Sequence, residues 1–240
     1  MPLYRRLSTS ELALTVCFTA LYTVFSFLPI SPIIGLPGSS ITATAMIAPV
    51  LGLILGPYVG VLSASLGGLI GFFFGHVSEP SLLSGAVAAL CAGLLYTGKR
   101  GACVFLYFSL MFLFGFYPFV GPVWLYPPLM WFQIIGFLTL ISPLQSTALK
   151  NLKTAKRSVL TLAVFVTSLT STLAGQIAGS LTFELISWPI FMANLNVWRA
   201  SWGIITFLYP IERVIIAVGA TLLGVSLYKV LGRSWHQSGV

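Results

Sequence analysis

Long apolar runs, separated by short polar or proline-containing breaks, cover most of the chain. The runs lie near 11–28, 41–56, 58–75, 81–98, 102–119, 128–148, 158–185 and 202–229. Their apolar residues are continuous rather than alternating with polar ones, which excludes a transmembrane β-barrel. Because a helix needs roughly 20 apolar residues to cross a bilayer, the pattern predicts an all-α class. We expect a polytopic transmembrane helix bundle with about eight spans.

Basic residues form clusters that test this span count. The clusters are Arg5 with Arg6, Lys99 with Arg100, Lys150 with Lys153, Lys156 and Arg157, and Lys229 with Arg233. An even number of crossings separates each cluster from the next, so all of them share one side. By the positive-inside rule that side is cytoplasmic, and both termini are predicted to be cytoplasmic in a multi-pass plasma (cell) membrane protein. Six spans are the alternative if 102–148 is partly re-entrant.

The chain is predicted to be one integral membrane domain over 1–240. Its parts are N-terminal helices in 1–101, an added hairpin in 102–149 and C-terminal helices in 158–233. Gly52, Gly56 and Gly60 are spaced by four, which places small residues on one helix face and favours close packing. The Gly56-Pro57 break predicts a tight turn between two helices.

Composition supports the membrane interpretation and limits the chemistry. Hydrophobic residues are 58% of the chain and charged residues 7%, against about 25% charged in soluble domains. The net charge of +8 sits in clusters between apolar runs, which indicates topology rather than nucleic-acid binding. The cysteines Cys17, Cys91 and Cys103 lie within apolar runs and are interpreted as core residues. No metal or other cofactor is predicted.

Aromatic, amide and charged side chains collect on the predicted outer side and beside it. The candidate substrate-binding residues are Trp124, Tyr126, Glu184, Asn194, Asn196, Trp198, Arg199, Trp202 and, within the last run, Glu212. Trp and Tyr also form interfacial belts, so two interpretations stand, a belt or a stacking pocket for a flat ligand. Arg199 is expected to pair either with a ligand carboxylate or phosphate or with Glu184.

Polar residues inside an apolar run are functional candidates because burying them in a membrane is costly. Glu212 and Arg213 closely follow Pro210, which frees backbone groups that a side chain or a ligand can satisfy. Structural partners within the bundle are the alternative for both residues. Gln176, in the seventh run, is a candidate of the same kind.

Four stretches resemble one family of membrane proteins. They are the basic N-terminus leading into Ala20-Leu21-Tyr22, the loop from Pro29 to Ser40, Leu55-Gly56-Pro57-Tyr58-Val59-Gly60-Val61-Leu62 with the following Gly67-Gly68-Leu69-Ile70-Gly71, and Phe207-Leu208-Tyr209-Pro210-Ile211-Glu212-Arg213. They are similar to the substrate-binding S component of energy-coupling factor (ECF) vitamin transporters. S components usually have six helices, so 102–148 would be an added hairpin. The family's Ala-x-x-x-Ala pair on the first helix is replaced by Ala13 with Cys17 and by Val16 with Ala20.

The resemblance implies capture of a small molecule, a vitamin or related micronutrient, for uptake across the membrane. It also implies a transmembrane coupling subunit and ATPase subunits as partners. The chain itself has no phosphate-binding loop, so it is not expected to be the ATPase. An enzyme is not expected. His76 and Glu79 are three residues apart, but the sequence has no His-Glu-x-x-His or Gly-x-Ser-x-Gly motif. The alternative function is a stand-alone secondary transporter or channel, with Glu212 and Arg213 in ion coupling.

Overall fold

The computed structural model describes residues 8–152 and 156–237, and this part of the chain is a helical bundle. The helices are α1 (Thr9–Ser26), α2 (Thr44–Phe73), α3 (Glu79–Tyr96), α4 (Arg100–Gly115), α5 (Pro122–Leu125), α6 (Trp131–Ile141), α7 (Pro143–Asn151), α8 (Arg157–Ser187) and α9 (Leu195–Gln237). A 3-10 turn, Pro127–Met130, precedes α6. Two short antiparallel strands, β1 (Pro29–Pro32) and β2 (Ser40–Thr42), form a ribbon between α1 and α2. The all-α class is confirmed, and the ribbon is its one addition within the described residues.

Several helices are suited to cross a membrane. Among the described residues, α1, α2, α3, α8 and α9 are long and apolar enough, and the helical segments either side of Ser142, bent by 61°, add a sixth candidate if they form one span. The protein is therefore membrane-embedded, whereas the count of eight spans stays a prediction. Arg5, Arg6 and Lys153 lie outside the described residues, so the side of the membrane on which the termini lie also stays a prediction.

Helix α2 contains a reversal of the chain. Gly56 has φ 76° and ψ −179°, a conformation that only glycine adopts readily. A Cβ built on Gly60 would lie 2.9 Å from the carbonyl oxygen of Leu51, although residues nine apart in a straight helix are separated by about 13 Å. The two halves of α2 are therefore antiparallel, with the tight turn at Gly56-Pro57 that the sequence predicts.

Helix α1 lies beside the second half of α2 and runs in the same direction. The hydroxyl of Thr19 donates to the carbonyl of Ser63 at 3.5 Å, and that of Thr23 donates to the carbonyl of Gly67 at 3.4 Å. Because both partners advance by four residues, these contacts fix a parallel register. Close helix approach of this kind is how bundles gain packing energy in lipid, where hydrophobic association is absent.

Helices α4, α6 and α7 pack against α8 on the far side from α1. Arg100, at the start of α4, joins them at the bend between α6 and α7. Its guanidinium donates to the carbonyls of Leu140 and Ser142 at 2.8 and 2.9 Å, and to the hydroxyl of Ser146. The bond to Leu140 satisfies a carbonyl group that the break at Pro143 leaves without a helical partner.

Candidate functional site

A cavity lies inside the bundle, between the ends of several helices and the β1–β2 ribbon. Helices α1, α3, α8 and α9 and the beginning of α2 supply its walls. The ribbon and its loop cover it with the apolar side chains of Ile33, Ile34 and Ile41. The cavity volume is about 50 Å³, which admits only a few water molecules. A larger ligand therefore requires the β1–β2 loop to shift.

The β1–β2 loop is tied to α8 and α9. The hydroxyl of Ser31 donates to a carboxylate oxygen of Glu212 at 2.8 Å. At the turn of the loop, a Cβ built on Gly35 would lie 2.8 Å from the ring of Phe183, and Gly35 has a φ of 89°. Glycine at this position thus allows the loop to lie directly on the aromatic ring.

Glu212 also forms a buried ion pair with its neighbour Arg213. The guanidinium donates to the second carboxylate oxygen, and both side chains are only 4% exposed. Arg213 lines the cavity, and its Nε has no hydrogen-bond partner among the described residues. Since a buried charge needs a partner, Glu212 holds a neutralised guanidinium at the cavity wall while it anchors the loop.

Gln176 presents a second unpartnered polar group to the cavity. Its side chain is 4% exposed, and both its amide nitrogen and its carbonyl oxygen lack partners within the described residues. Helix α8 is held close to α3 at this level, because a Cβ built on Gly179 would lie 2.9 Å from the carbonyl oxygen of Pro80. The position of Gln176 is therefore fixed by backbone packing on both helices.

Aromatic rings form one wall of the cavity. Trp202, Phe183 and Tyr209 line it. The Trp202 indole N–H donates to the carbonyl of Val120 at 2.8 Å, and its ring packs edge-on against Phe183 with centroids 6.4 Å apart. Because that N–H already has a partner, Trp202 offers the cavity apolar ring surface rather than a hydrogen bond.

Pro210 shapes α9 near the cavity. A proline removes the N–H that would bond to the carbonyl four residues earlier, which here belongs to Thr206. The indole N–H of Trp131, next to α5 and the 3-10 turn, donates to that carbonyl at 3.1 Å. The prediction that a side chain satisfies backbone groups freed at Pro210 is confirmed, and the bond ties α6 to α9.

Two of the nine candidate substrate-binding residues belong to this region, in addition to the polar candidates Gln176 and Arg213. Trp202 lines the cavity, and Glu212 supports it from behind through Ser31 and Arg213. Trp198 is fully buried beside them, but its indole N–H donates to the carbonyl of Met192 at 2.7 Å, and it is not among the lining residues.

The other outer candidates face away from the cavity. Trp124 is 61% exposed, Asn194, Asn196 and Arg199 are exposed, and Tyr126 is half-buried against Gly203. The sequence places the start of the last apolar run at 202, whereas α9 begins at Leu195. Trp198 and Trp202 are one helical turn apart and therefore lie on the same face of α9. Burying both rings against the bundle requires the helix to begin before Trp198.

Glu184 is buried in α8 with no exposed surface. Neither carboxylate oxygen has a hydrogen-bond partner among the described residues, and the residue does not line the cavity. The interpretation that Arg199 pairs with Glu184 is therefore wrong, since Arg199 is exposed while the Glu184 carboxyl group is fully buried without a partner among the described residues.

Other lining residues carry little signal in the sequence. Tyr22, Thr44 and Tyr209 line the cavity, yet each occurs in an apolar run where tyrosine and threonine are common. Tyr22 and Tyr209 do fall in the stretches of family resemblance. Ile33 is visible in the sequence only as an apolar residue of a loop, and Ile41 only as the first residue of an apolar run.

His76 and Glu79 lie at a separate cleft beside the β1–β2 ribbon. The cleft is larger, about 470 Å³, and is lined by hydroxyl groups, His76 and Glu79. The His76 ring stacks on Phe27 with centroids 4.3 Å apart, and both residues are exposed. Among the described residues no three potential metal ligands come together. Because water already solvates these exposed groups, whereas Gln176 and Arg213 are buried, the cavity lined by Gln176 and Arg213 is the stronger candidate for a binding site.

Comparison with known proteins gives no match: the chain matches no protein-family model, no curated protein and no solved structure.

Proposed function

We propose that the chain is a membrane-embedded substrate-binding subunit for uptake of a small molecule, a vitamin or related micronutrient. One observation carries the proposal, namely a cavity lined by Gln176 and Arg213, whose buried polar atoms have no partner among the described residues. The other lining side chains are aliphatic, aromatic and hydroxyl-bearing, and polar groups placed among apolar and aromatic walls are typical of small-molecule sites. The loop over the cavity gives a route for entry, because within the described residues a single side-chain hydrogen bond, from Ser31 to Glu212, ties it to α9.

The helix arrangement supports the topology of this proposal. The proposed eight crossings are obtained if the two antiparallel halves of α2 count separately and the bent pair α6–α7 counts as one. The remaining crossings are then α1, α3, α4, α8 and α9. An even count returns the chain to its starting side, and Lys99 with Lys150 then shares the cytoplasmic side. Labelling of single cysteines in intact cells tests this, since residues at 99 and 150 should react only after the membrane is opened.

Helix α1 offers the surface for a coupling partner. Ala13, Val16, Cys17 and Ala20 are all exposed on the outside of the bundle. Small side chains let a second membrane helix approach closely, so this face suits a transmembrane coupling subunit. ATPase subunits would supply the energy, as the family resemblance implies.

A thermal-shift screen of the detergent-purified chain tests the proposal. Vitamins, nucleobases, amino acids and divalent ions are added singly, and a true ligand stabilises by about 2.7 kcal/mol at a hundredfold excess over its Kd. A saturable shift for one compound supports substrate capture. If no compound in any class shifts the unfolding temperature, the proposal fails.

One observation favours the alternative of a stand-alone secondary transporter. The buried, unpartnered carboxyl group of Glu184 is the kind of membrane residue that couples transport to a proton or an ion. Liposomes that contain the chain alone separate the two functions. Uptake driven by an ion gradient would establish the alternative, whereas uptake only with coupling subunits and ATP establishes the proposed function.

A further inference from the structure

The cavity's polar groups define the chemistry of what it can hold. The Gln176 side chain presents one donor and one acceptor side by side, and neither has a partner among the described residues. This conclusion does not depend on which way the amide is oriented, because both of its polar atoms are unpaired. A buried primary amide is best satisfied by a group that has an acceptor and a donor at the same spacing.

A second unpaired donor faces the same space. The Nε–H of Arg213 has no partner among the described residues, while one terminal nitrogen of the guanidinium donates to Glu212. The ligand must therefore offer a further acceptor toward α9. Glu212 and Arg213 cancel each other's charge, and Arg213 is the one charged side chain lining the cavity in the described part of the chain. A charged ligand would bring a charge into the cavity without an uncompensated opposite charge to pair with, which is unfavourable.

The walls favour a flat molecule. Trp202, Phe183 and Tyr209 present ring surface, and the small residues Gly85 and Gly179 line the cavity on α3 and α8. A planar ring packs against aromatic side chains by offset or edge-on contacts. Since the cavity is only about 50 Å³, a single ring requires the smallest displacement of the covering loop.

We infer that the substrate is an uncharged, planar heterocycle with a cis-amide edge, either a ring lactam or a ring carboxamide. The ligand N–H donates to the Gln176 carbonyl oxygen, and the ligand carbonyl accepts from the Gln176 amide nitrogen. A second ring or carbonyl acceptor takes the Arg213 Nε–H. This inference rests on the proposed function, because it specifies the substrate class of that same cavity.

Matched pairs of probes test the inference on the full chain in detergent. Nicotinamide and 2-pyridone have the cis-amide edge, while nicotinate replaces it with a negative charge and N-methyl-2-pyridone lacks the donor. We expect a saturable rise in unfolding temperature with one or both of the first compounds. Nicotinate should bind at least roughly tenfold more weakly than nicotinamide, and N-methyl-2-pyridone at least roughly tenfold more weakly than 2-pyridone, because one buried hydrogen bond is left unmade.

Two substitutions make the test specific to the site. Gln176→Leu keeps the side-chain volume and should weaken binding of the cis-amide probe by roughly tenfold or more. Gln133→Leu is the matched control, since Gln133 is also buried with an unpartnered carbonyl oxygen but does not line the cavity. It should leave binding unchanged. The comparison of probes on the unsubstituted chain stands even if a variant fails to fold.

The outcomes distinguish this inference from the proposed function. Preferential binding of nicotinate, or of other charged compounds in the wider screen, would overturn the substrate class and leave substrate capture standing. Equal binding of the cis-amide probe by Gln176→Leu and by the unsubstituted chain would also overturn the substrate class and leave substrate capture standing. If neither the matched probes nor any compound in the wider screen binds, both the inference and the proposed function are overturned.

Discussion

The substitution Glu212→Gln separates two roles of one carboxylate. It removes the charge that compensates Arg213 while keeping the size of the side chain and an acceptor for the Ser31 hydroxyl. The guanidinium then remains buried, at 4% exposure, without a negative partner. Any effect on stability should therefore come from the loss of charge compensation rather than from lost packing.

The expected magnitude follows from the burial of the pair. Removing one partner of a buried ion pair costs about 3–5 kcal/mol. For a chain of 240 residues, a loss of this size corresponds to a fall of about 10 °C in unfolding temperature. Replacing both charges should be far milder, because no buried charge is then left alone. The double variant Glu212→Gln with Arg213→Met should accordingly recover most of the lost stability.

Thermal unfolding in one detergent, followed by intrinsic fluorescence, measures these differences. Glu79→Gln is the matched control, because Glu79 is exposed and an exposed substitution of this type changes stability by about 0.5 kcal/mol or less. The reasoning is refuted if Glu212→Gln unfolds at the same temperature as Glu79→Gln. It is equally refuted if the double variant is less stable than the single one.

Three further predictions concern packing and coupling. Trp131→Phe should lower the unfolding free energy by about 1 kcal/mol, because the Thr206 carbonyl loses its donor; chemical denaturation measures it. Gly52→Val should cost about 3 kcal/mol and lower the yield of folded protein in size-exclusion profiles, since its Cβ would lie 2.1 Å from the Ala89 carbonyl oxygen. Ala20→Trp should abolish ATP-driven uptake in cells that carry the coupling subunits, because a large side chain on the exposed face of α1 blocks a close helix contact.

Each of these has a control within the chain. Trp124→Phe should have little effect, because that indole is largely exposed. Pro210→Ala added to Trp131→Phe should restore stability through a new backbone N–H, and no recovery would contradict the assignment. Gly101→Val should be tolerated, since a Cβ there meets nothing within 4 Å. Ala20→Trp must retain ligand binding. Loss of binding would show that the substitution disturbs the fold rather than contact with the proposed coupling subunit.

Sequence reasoning located part of the site because some residue types are conspicuous in an apolar run. Gln176, Glu212 and Arg213 stand out for the cost of burying them in a membrane, and all three belong to the cavity or directly support it. Asn194 and Arg199 look equally conspicuous but face outward. Which face of a helix end is enclosed depends on the neighbouring helices, and local composition carries no information about that.

The membrane class, the position of the long helices and the turn at Gly56-Pro57 were determined by sequence alone. Each rests on apolarity or on backbone restrictions that act within a few residues. The cavity was decided only by tertiary structure, because it depends on contacts between distant segments. Ser31 and Glu212 meet across a separation of 181 residues, and Gln176 reaches the same cavity from a third segment. Such a convergence follows from how the helices pack together, which no local pattern encodes.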